Sequence, residues 1–255
     1  MDFLHAAHTF QTYLTAYDQE DDKVRLKIIH TYGVISQIEE LSRRMHLPDE
    51  DVQLAKLIAL LHDIGRFEQL RRFDSFEPGT MDHAAYGVQI LFDEGLIRQF
   101  LPDDTWDPVI RTAIARHSDY RLEEIPDTRT LLHARLIRDA DKLDNCRVKL
   151  EDDLETILGL SAEIIGSQKI SPVIYDTVFQ NQCILSADRK TALDYWISYV
   201  AYFFDLNFRE SLDIVAENDY VSRIIHRIPY TDPVTNAQMK EIEAYLNQYV
   251  QKKIF

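Results

Sequence analysis

The chain has 255 residues, 45% of them apolar and 28% charged. These are the proportions of an ordinary globular protein, and they exclude collagen-like, low-complexity and wholly disordered classes. With 28 basic against 43 acidic residues the net charge is −15, which repels phosphate backbones and excludes duplex nucleic acid as a general partner.

Only 7 glycines and 8 prolines are present, so tight turns are few and helices joined by short loops are expected; the expected fold class is all-α. Cys146 and Cys183 are too few for a disulfide framework or a thiolate zinc site and fit a reducing cytoplasm. The start, Met1 to His5, lacks the regions of a signal peptide. The longest strictly apolar run, Leu57 to Leu61, is far below the ~20 residues of a membrane span, so no membrane partner is expected.

No repeat or linker divides the chain. Residues 3–17 predict a first helix, and 22–46 a longer one that stops before Pro48. Asp49 is expected to cap the next, which runs through Leu57 and Leu61 to His62, with Gly65 as its C-terminal cap. Residues 65–80 read as a loop carrying Arg66, Arg71, Arg72 and Pro78-Gly79. Thr80 is expected to cap a helix through His83, Gly87 and Leu91. Asp107-Pro108 opens another through Ile110 and His117, and one more spans about 128–150. Ser171-Pro172 and Ser186 each open a helix, and Thr235 with Gln238 forms a capping box for the last. The β-branched run Val173 to Val178 also fits a strand; its Ser-Pro start favours helix.

Residues that carry chemistry concentrate between 30 and 141. His30 shares a helix face with Leu26, Val34, Ile38 and Leu41. His62-Asp63 ends a helix that is apolar all round, so Asp63 emerges near a dry core, where an unpaired carboxylate is costly. His83 faces with Gly87, Ile90 and Leu91, and Gly87 leaves room beside the imidazole. His117 faces with Ile110, Ala113 and Ile114. One histidine in an apolar stripe is ordinarily a hydrogen-bonded core residue, but a shared metal centre satisfies four inward imidazoles at once. Asp139, Asp141 and Asp144 lie on the last of these helices, and periodicity does not choose among them. Imidazole with carboxylate suits Fe, Mn, Zn or Co rather than Ca or Mg. Six protein ligands suit two ions bridged by Asp63 better than one ion that keeps open positions.

The ordered set His30, Leu60-Leu61-His62-Asp63-Ile64-Gly65-Arg66-Phe67 and Ala140-Asp141-Lys142-Leu143 resembles the HD-domain superfamily of metal-dependent phosphohydrolases, over about residues 22–150. The resemblance implies an HD-domain helical bundle over 1–150, with 151–255 as a C-terminal helical extension packed on it. It selects Asp141 as the metal-binding aspartate and makes His83 and His117 the extra ligands of a two-metal member. The metals implied are two divalent ions, Fe or Mn first, with Zn, Co or Ni as alternatives. A water held between two such ions attacks phosphorus as hydroxide, while Arg66 and Lys142 are expected to bind the phosphoryl group. The Gly-Tyr-Pro signature of the cyclic-dinucleotide phosphodiesterase branch is missing after His117, where Ser118-Asp119-Tyr120-Arg121 follows. The guanosine-tetraphosphate hydrolase branch is similar only at the core motif. The expected substrate is therefore a nucleotide or another small phosphate ester. The aromatic run Tyr195 to Phe204 reads as a core helix or a homodimer interface, or as a wall for a nucleobase. Two other readings share the ligand set: an HD-fold di-iron oxygenase acting on a polyol or phosphonate, and a non-catalytic nucleotide-binding regulatory module.

Overall fold

The computed structural model describes residues 2–77 and 79–254, and among them there is no strand. The all-α class is observed throughout. By packing, the chain divides into two compact units, Met1–Asp141 and Lys142–Phe255.

The first unit opens with α1 (Phe3–Leu14), capped by the Asp2 side chain. The Asp21 side chain caps α2 (Asp22–Arg44), which buries Leu26, His30, Val34, Ile38 and Leu41 on one stripe. In α3 (Asp49–Leu61), Pro48 rather than Asp49 stands at the cap, and Asp49, Glu50 and Asp51 all lie in the first turn. That placement sets three carboxylates against the positive end of the helix dipole. Every residue from Leu57 to Leu61 is buried.

The expected loop after His62-Asp63 is instead a helix, α4 (Ile64–Phe73), and it carries all three arginines. Gly65 is not a cap. It lies in the first turn of α4, where a Cβ would stand 2.2 Å from the His83 carbonyl oxygen and 2.9 Å from the Gly87 nitrogen. Its missing side chain lets α4 meet α5 (His83–Val88) backbone to backbone. The space expected beside Gly87 is taken by Ile64 and Gly65 themselves. Between the two helices, Pro78 lies outside the described residues. Asp82, not Thr80, caps α5. The Thr80 hydroxyl donates to the Glu77 carbonyl instead. A short α6 (Ile97–Phe100) precedes α7 (Asp107–Arg116), which has Pro108 in its first turn. Then comes α8 (Thr128–Glu151), inside which the two units divide.

The second unit continues with α9 (Leu154–Leu158), α10 (Ala162–Gly166), α11 (Pro172–Phe179), α12 (Ala192–Ala201), α13 (Arg209–Glu217), α14 (Tyr220–Ile225) and α15 (Pro233–Ile254). Val173 to Val178 is helical, within α11. Ser186 opens only one 3-10 turn; the helix starts after Thr191, which forms a capping box with Asp194. The buried Asp194 also accepts from the Ser171 backbone and hydroxyl at 3.0 and 2.7 Å, tying the start of α11 to α12. Thr235 does not cap α15. The Asp232 carboxylate accepts from the Val234 nitrogen there, and the Thr235 hydroxyl donates to the Gln168 carbonyl. In the aromatic run, Trp196, Ile197, Val200, Ala201 and Phe203 are buried as core.

The close approach at Gly65 makes a stability prediction. Gly65→Ala places a methyl group against backbone that cannot rotate away, so α4 and α5 must separate. Overpacking of this kind costs about 1–3 kcal/mol, more than the ~1 kcal/mol a helical alanine gains over glycine. The melting temperature is expected to fall by several degrees; a variant as stable as the wild type would remove the glycine contact as a determinant.

Candidate metal centre

Three helices and two helix ends converge on Asp63, which is 4% exposed. From α2 comes His30, whose Nε2 lies 2.9 Å from Asp141 Oδ1 and 4.0 Å from Asp63 Oδ2. His62 follows the end of α3, with Nε2 3.4 Å from Asp63 Oδ2 and 3.9 Å from Asp141 Oδ1. At the start of α5, His83 Nε2 is 3.2 Å from Asp63 Oδ1 and 3.1 Å from His117 Nε2. His117, at the end of α7, has Nε2 3.5 Å from Asp63 Oδ1. Asp141 is supplied by α8. Thus His30, His62, Asp63, His83, His117 and Asp141 share one buried space.

Hydrogen bonding fixes which ring nitrogens face inward. His62 Nδ1 donates to the Ala59 carbonyl at 2.8 Å, and His117 Nδ1 to the Ile114 carbonyl at 2.7 Å. Each of these rings therefore turns its Nε2 to the centre. His62 Nε2 is buried and makes no hydrogen bond. Two imidazole Nε2 atoms crowd against the buried Asp63 carboxylate, and a buried carboxylate is stable only beside cations or donors. Spacing agrees. Ligand atoms each 2.0–2.2 Å from one ion stand roughly 3–3.5 Å apart. His30, His62 and Asp141 form one group, and His62, Asp63 and His117 another, with ligand atoms all within 4.8 Å of each other. Both fit a metal ion.

Electrostatics point the same way. Burial raises the Asp63 pKa, but the Lys27 ammonium and the His62 imidazole outweigh it and hold the carboxyl well below its ordinary range. For Asp141, burial is likewise overcome, here by His30 and His62, and its pKa is lowered. His83 is pushed down to about 3, first by burial and then by the charge of Arg66. A carboxylate and a neutral imidazole are the protonation states metals bind.

The surroundings hold these side chains in place. Arg138, fully buried on α8, donates through Nη1 to the Arg116 and His117 carbonyls at 2.8 and 3.2 Å. It neutralises the C-terminal end of α7 where His117 stands. Asp51 in the first turn of α3 accepts from Arg129 Nε at 2.8 Å and from His133 Nε2 at 3.1 Å. That cluster braces α3, which leads to His62-Asp63, against the start of α8. Asp144 is bound by Arg147 at 2.8 and 3.0 Å, leaving Asp141 as the carboxylate at the centre.

Arg66 does not start a loop. It stands on α4 with Nε 3.7 Å from Asp63 Oδ1, while Nη1 donates to Gln69 Oε1 at 2.6 Å and to the Phe76 carbonyl at 3.3 Å. Glu68 and Asp74, the other acids near it in sequence, pair elsewhere. Arg71 and Arg72 hold Glu68, and Lys23 holds Asp74. Lys142 pairs with Asp205 at 2.9 Å, within the second unit. Sequence reasoning missed Lys27, whose ammonium contacts Asp63 Oδ2. The available signal was a lysine one helical turn before His30, at the edge of an apolar stripe.

A family model, that of the HD domain, matches residues 28–146. This stretch is an HD domain. The match begins two residues before His30 and ends five after Asp141, so it encloses all six clustered residues. HD domains are all-α and bind divalent metal ions, and the superfamily is one of metal-dependent phosphohydrolases. No curated protein and no solved structure matches the chain. Among the described residues no helix is long and apolar enough to cross a membrane.

One consequence is open to measurement without metal. Folded His83 stays neutral down to about pH 3, whereas an unfolded imidazole titrates near 6.5. Between those values the unfolded chain binds the extra proton. The stability linked to His83 is therefore fully present above about pH 6.5 and is lost progressively as pH falls towards 3. Urea midpoints of the metal-free protein should drop across that window, and His83→Asn should flatten the drop.

Proposed function

We propose that this chain is a metal-dependent phosphohydrolase that cleaves a nucleotide or another small phosphate ester. Two divalent ions, Fe or Mn before Zn, Co or Ni, would be held by His30, His62, Asp63, His83, His117 and Asp141, with Asp63 bridging. The observation that carries the reading is the buried convergence of imidazole Nε2 atoms on one carboxylate, inside an HD domain. When bound, such ions acidify a water towards neutrality and draw charge from phosphoryl oxygens.

The chain's own groups do the rest. Asp63 spans both halves of the cluster, Oδ1 towards His83 and His117 and Oδ2 towards His62 and His30. Arg66 is the proposed phosphoryl contact. Its Nε is buried without a hydrogen bond, and Gln69 fixes its orientation. A guanidinium matches a phosphoryl group with two parallel hydrogen bonds. Lys142, next to Asp141 in sequence, is the second proposed contact; its pairing with Asp205 makes it the weaker of the two. We assign this chemistry to residues 1–150, with 151–255 as a helical extension, and place the protein in the cytoplasm because two cysteines are too few for a disulfide framework.

Metal content is the primary test. Plasma emission on protein reconstituted with Mn or Fe is expected to find close to two ions per chain. Asp63→Asn should lose most of that metal and its turnover, because a neutral amide does not balance two cations, whereas Asp144→Ala should keep both. One ion at most in the wild type would return His83 and His117 to core or substrate-contact roles.

Arg66 separates phosphoryl transfer from the oxygenase reading. Losing one charge-assisted contact costs roughly 1.5–3 kcal/mol, which is about ten- to a hundred-fold in rate constant. Arg66→Ala should lower kcat/KM on a phosphate monoester by that order, with metal content intact and a matched carboxylate ester unaffected. Unchanged phosphate kinetics, or oxygen uptake that tracks turnover, would favour an oxygenase.

A further inference from the structure

We propose that Lys27 is the resident counter-ion of Asp63 and that it competes with the metal for the same carboxylate oxygen. The inference rests on the metal reading given above. Its ground is the position of the ammonium. Lys27 Nζ contacts Asp63 Oδ2, with the two side chains only 11% and 5% exposed. That oxygen is the one that faces His62 Nε2 at 3.4 Å and His30 Nε2 at 4.0 Å. The Arg66 guanidinium lies on the other oxygen, at 3.7 Å. Lys27 and His30 share α2, three residues apart, so a single helix face brings both the imidazole and its rival cation to the site.

The competition follows from charge and distance. A buried carboxylate must be paired, and in protein without metal Lys27 supplies the pairing. An ion bound to the same oxygen at 2.0–2.2 Å would have the ammonium within about 5 Å of it. Like charges that close, in a site that excludes most water, repel strongly. Lys27 would therefore leave Oδ2 when the site holds metal. The affinity observed for metal is the intrinsic affinity reduced by the work of displacing Lys27. The same lysine keeps the empty site folded, because it stands where a cation is required.

The test measures binding rather than turnover. Equilibrium dialysis of Mn²⁺ against wild type, Lys27→Met and Lys27→Arg is read by plasma emission, with melting temperatures taken in chelator and in excess Mn²⁺. Methionine keeps the length and apolar stem but removes the charge. Lys27→Met should bind Mn²⁺ at least tenfold more tightly, melt lower than wild type in chelator, and show a larger rise on adding metal. Lys27→Arg should stay near wild type. If wild type binds Mn²⁺ and Lys27→Met binds it no more tightly, the competition is overturned while the metal site stands. If wild type binds no Mn²⁺, the metal reading falls and this inference with it. Should Lys27→Met fail to fold, amine acylation of the wild type decides. Labelling at Lys27, read by peptide mass spectrometry, should rise several-fold on adding Mn²⁺, and unchanged or slower labelling overturns the proposal.

Discussion

A single buried carboxylate organises the first unit. Asp63 is 4% exposed, and four imidazoles, an ammonium and a guanidinium are drawn around it from α2, α3, α4, α5 and α7. A charge so placed is tolerated only while its partners stay in position. Each element that brings a partner is constrained by it. Gly65 has no room for a Cβ because α5 must approach close enough to deliver His83. Arg138 is buried because the end of α7 must be held where His117 reaches the centre. The features of the fold that look most expensive, a buried arginine and two helices in backbone contact, are consequences of serving one anion.

The cluster was more legible than the helix boundaries around it. All six clustered residues could be picked out, because a histidine on an apolar stripe is conspicuous and the ordered motif gives Asp141 a context that periodicity could not. The region from 65 to 80 misled because Gly65 and three arginines look like a helix stop and a solvated loop. Glycine there answers a tertiary contact, the His83 backbone, which no local pattern records. Cap positions were misassigned for the same kind of reason. Thr80 and Thr235 are good capping residues whose hydroxyls are committed to the Glu77 and Gln168 carbonyls, and neighbouring aspartates take the cap. Lys27 was missed because lysine at a stripe edge ordinarily extends its charge into solvent. Only the three-dimensional position of Asp63 turns it inward.

The distribution of charge carries the last step. The chain as a whole stands at −15, but Lys27, Arg66 and Arg138 gather inside the first unit, close to the cluster. The proposed ligand set contributes only two carboxylates, Asp63 and Asp141. Two divalent ions bound there would leave the centre positive, with the Arg66 guanidinium adding to it. A long polyanion meets the repulsion of many surface carboxylates before it reaches the centre, and that repulsion grows with every phosphate it carries. A small anion presents one or two charges to the outside and is attracted once within a Debye length, about 8 Å at physiological salt. The proposed phosphohydrolase reading is therefore easier to reconcile with a compact phosphate ester than with a nucleic acid chain.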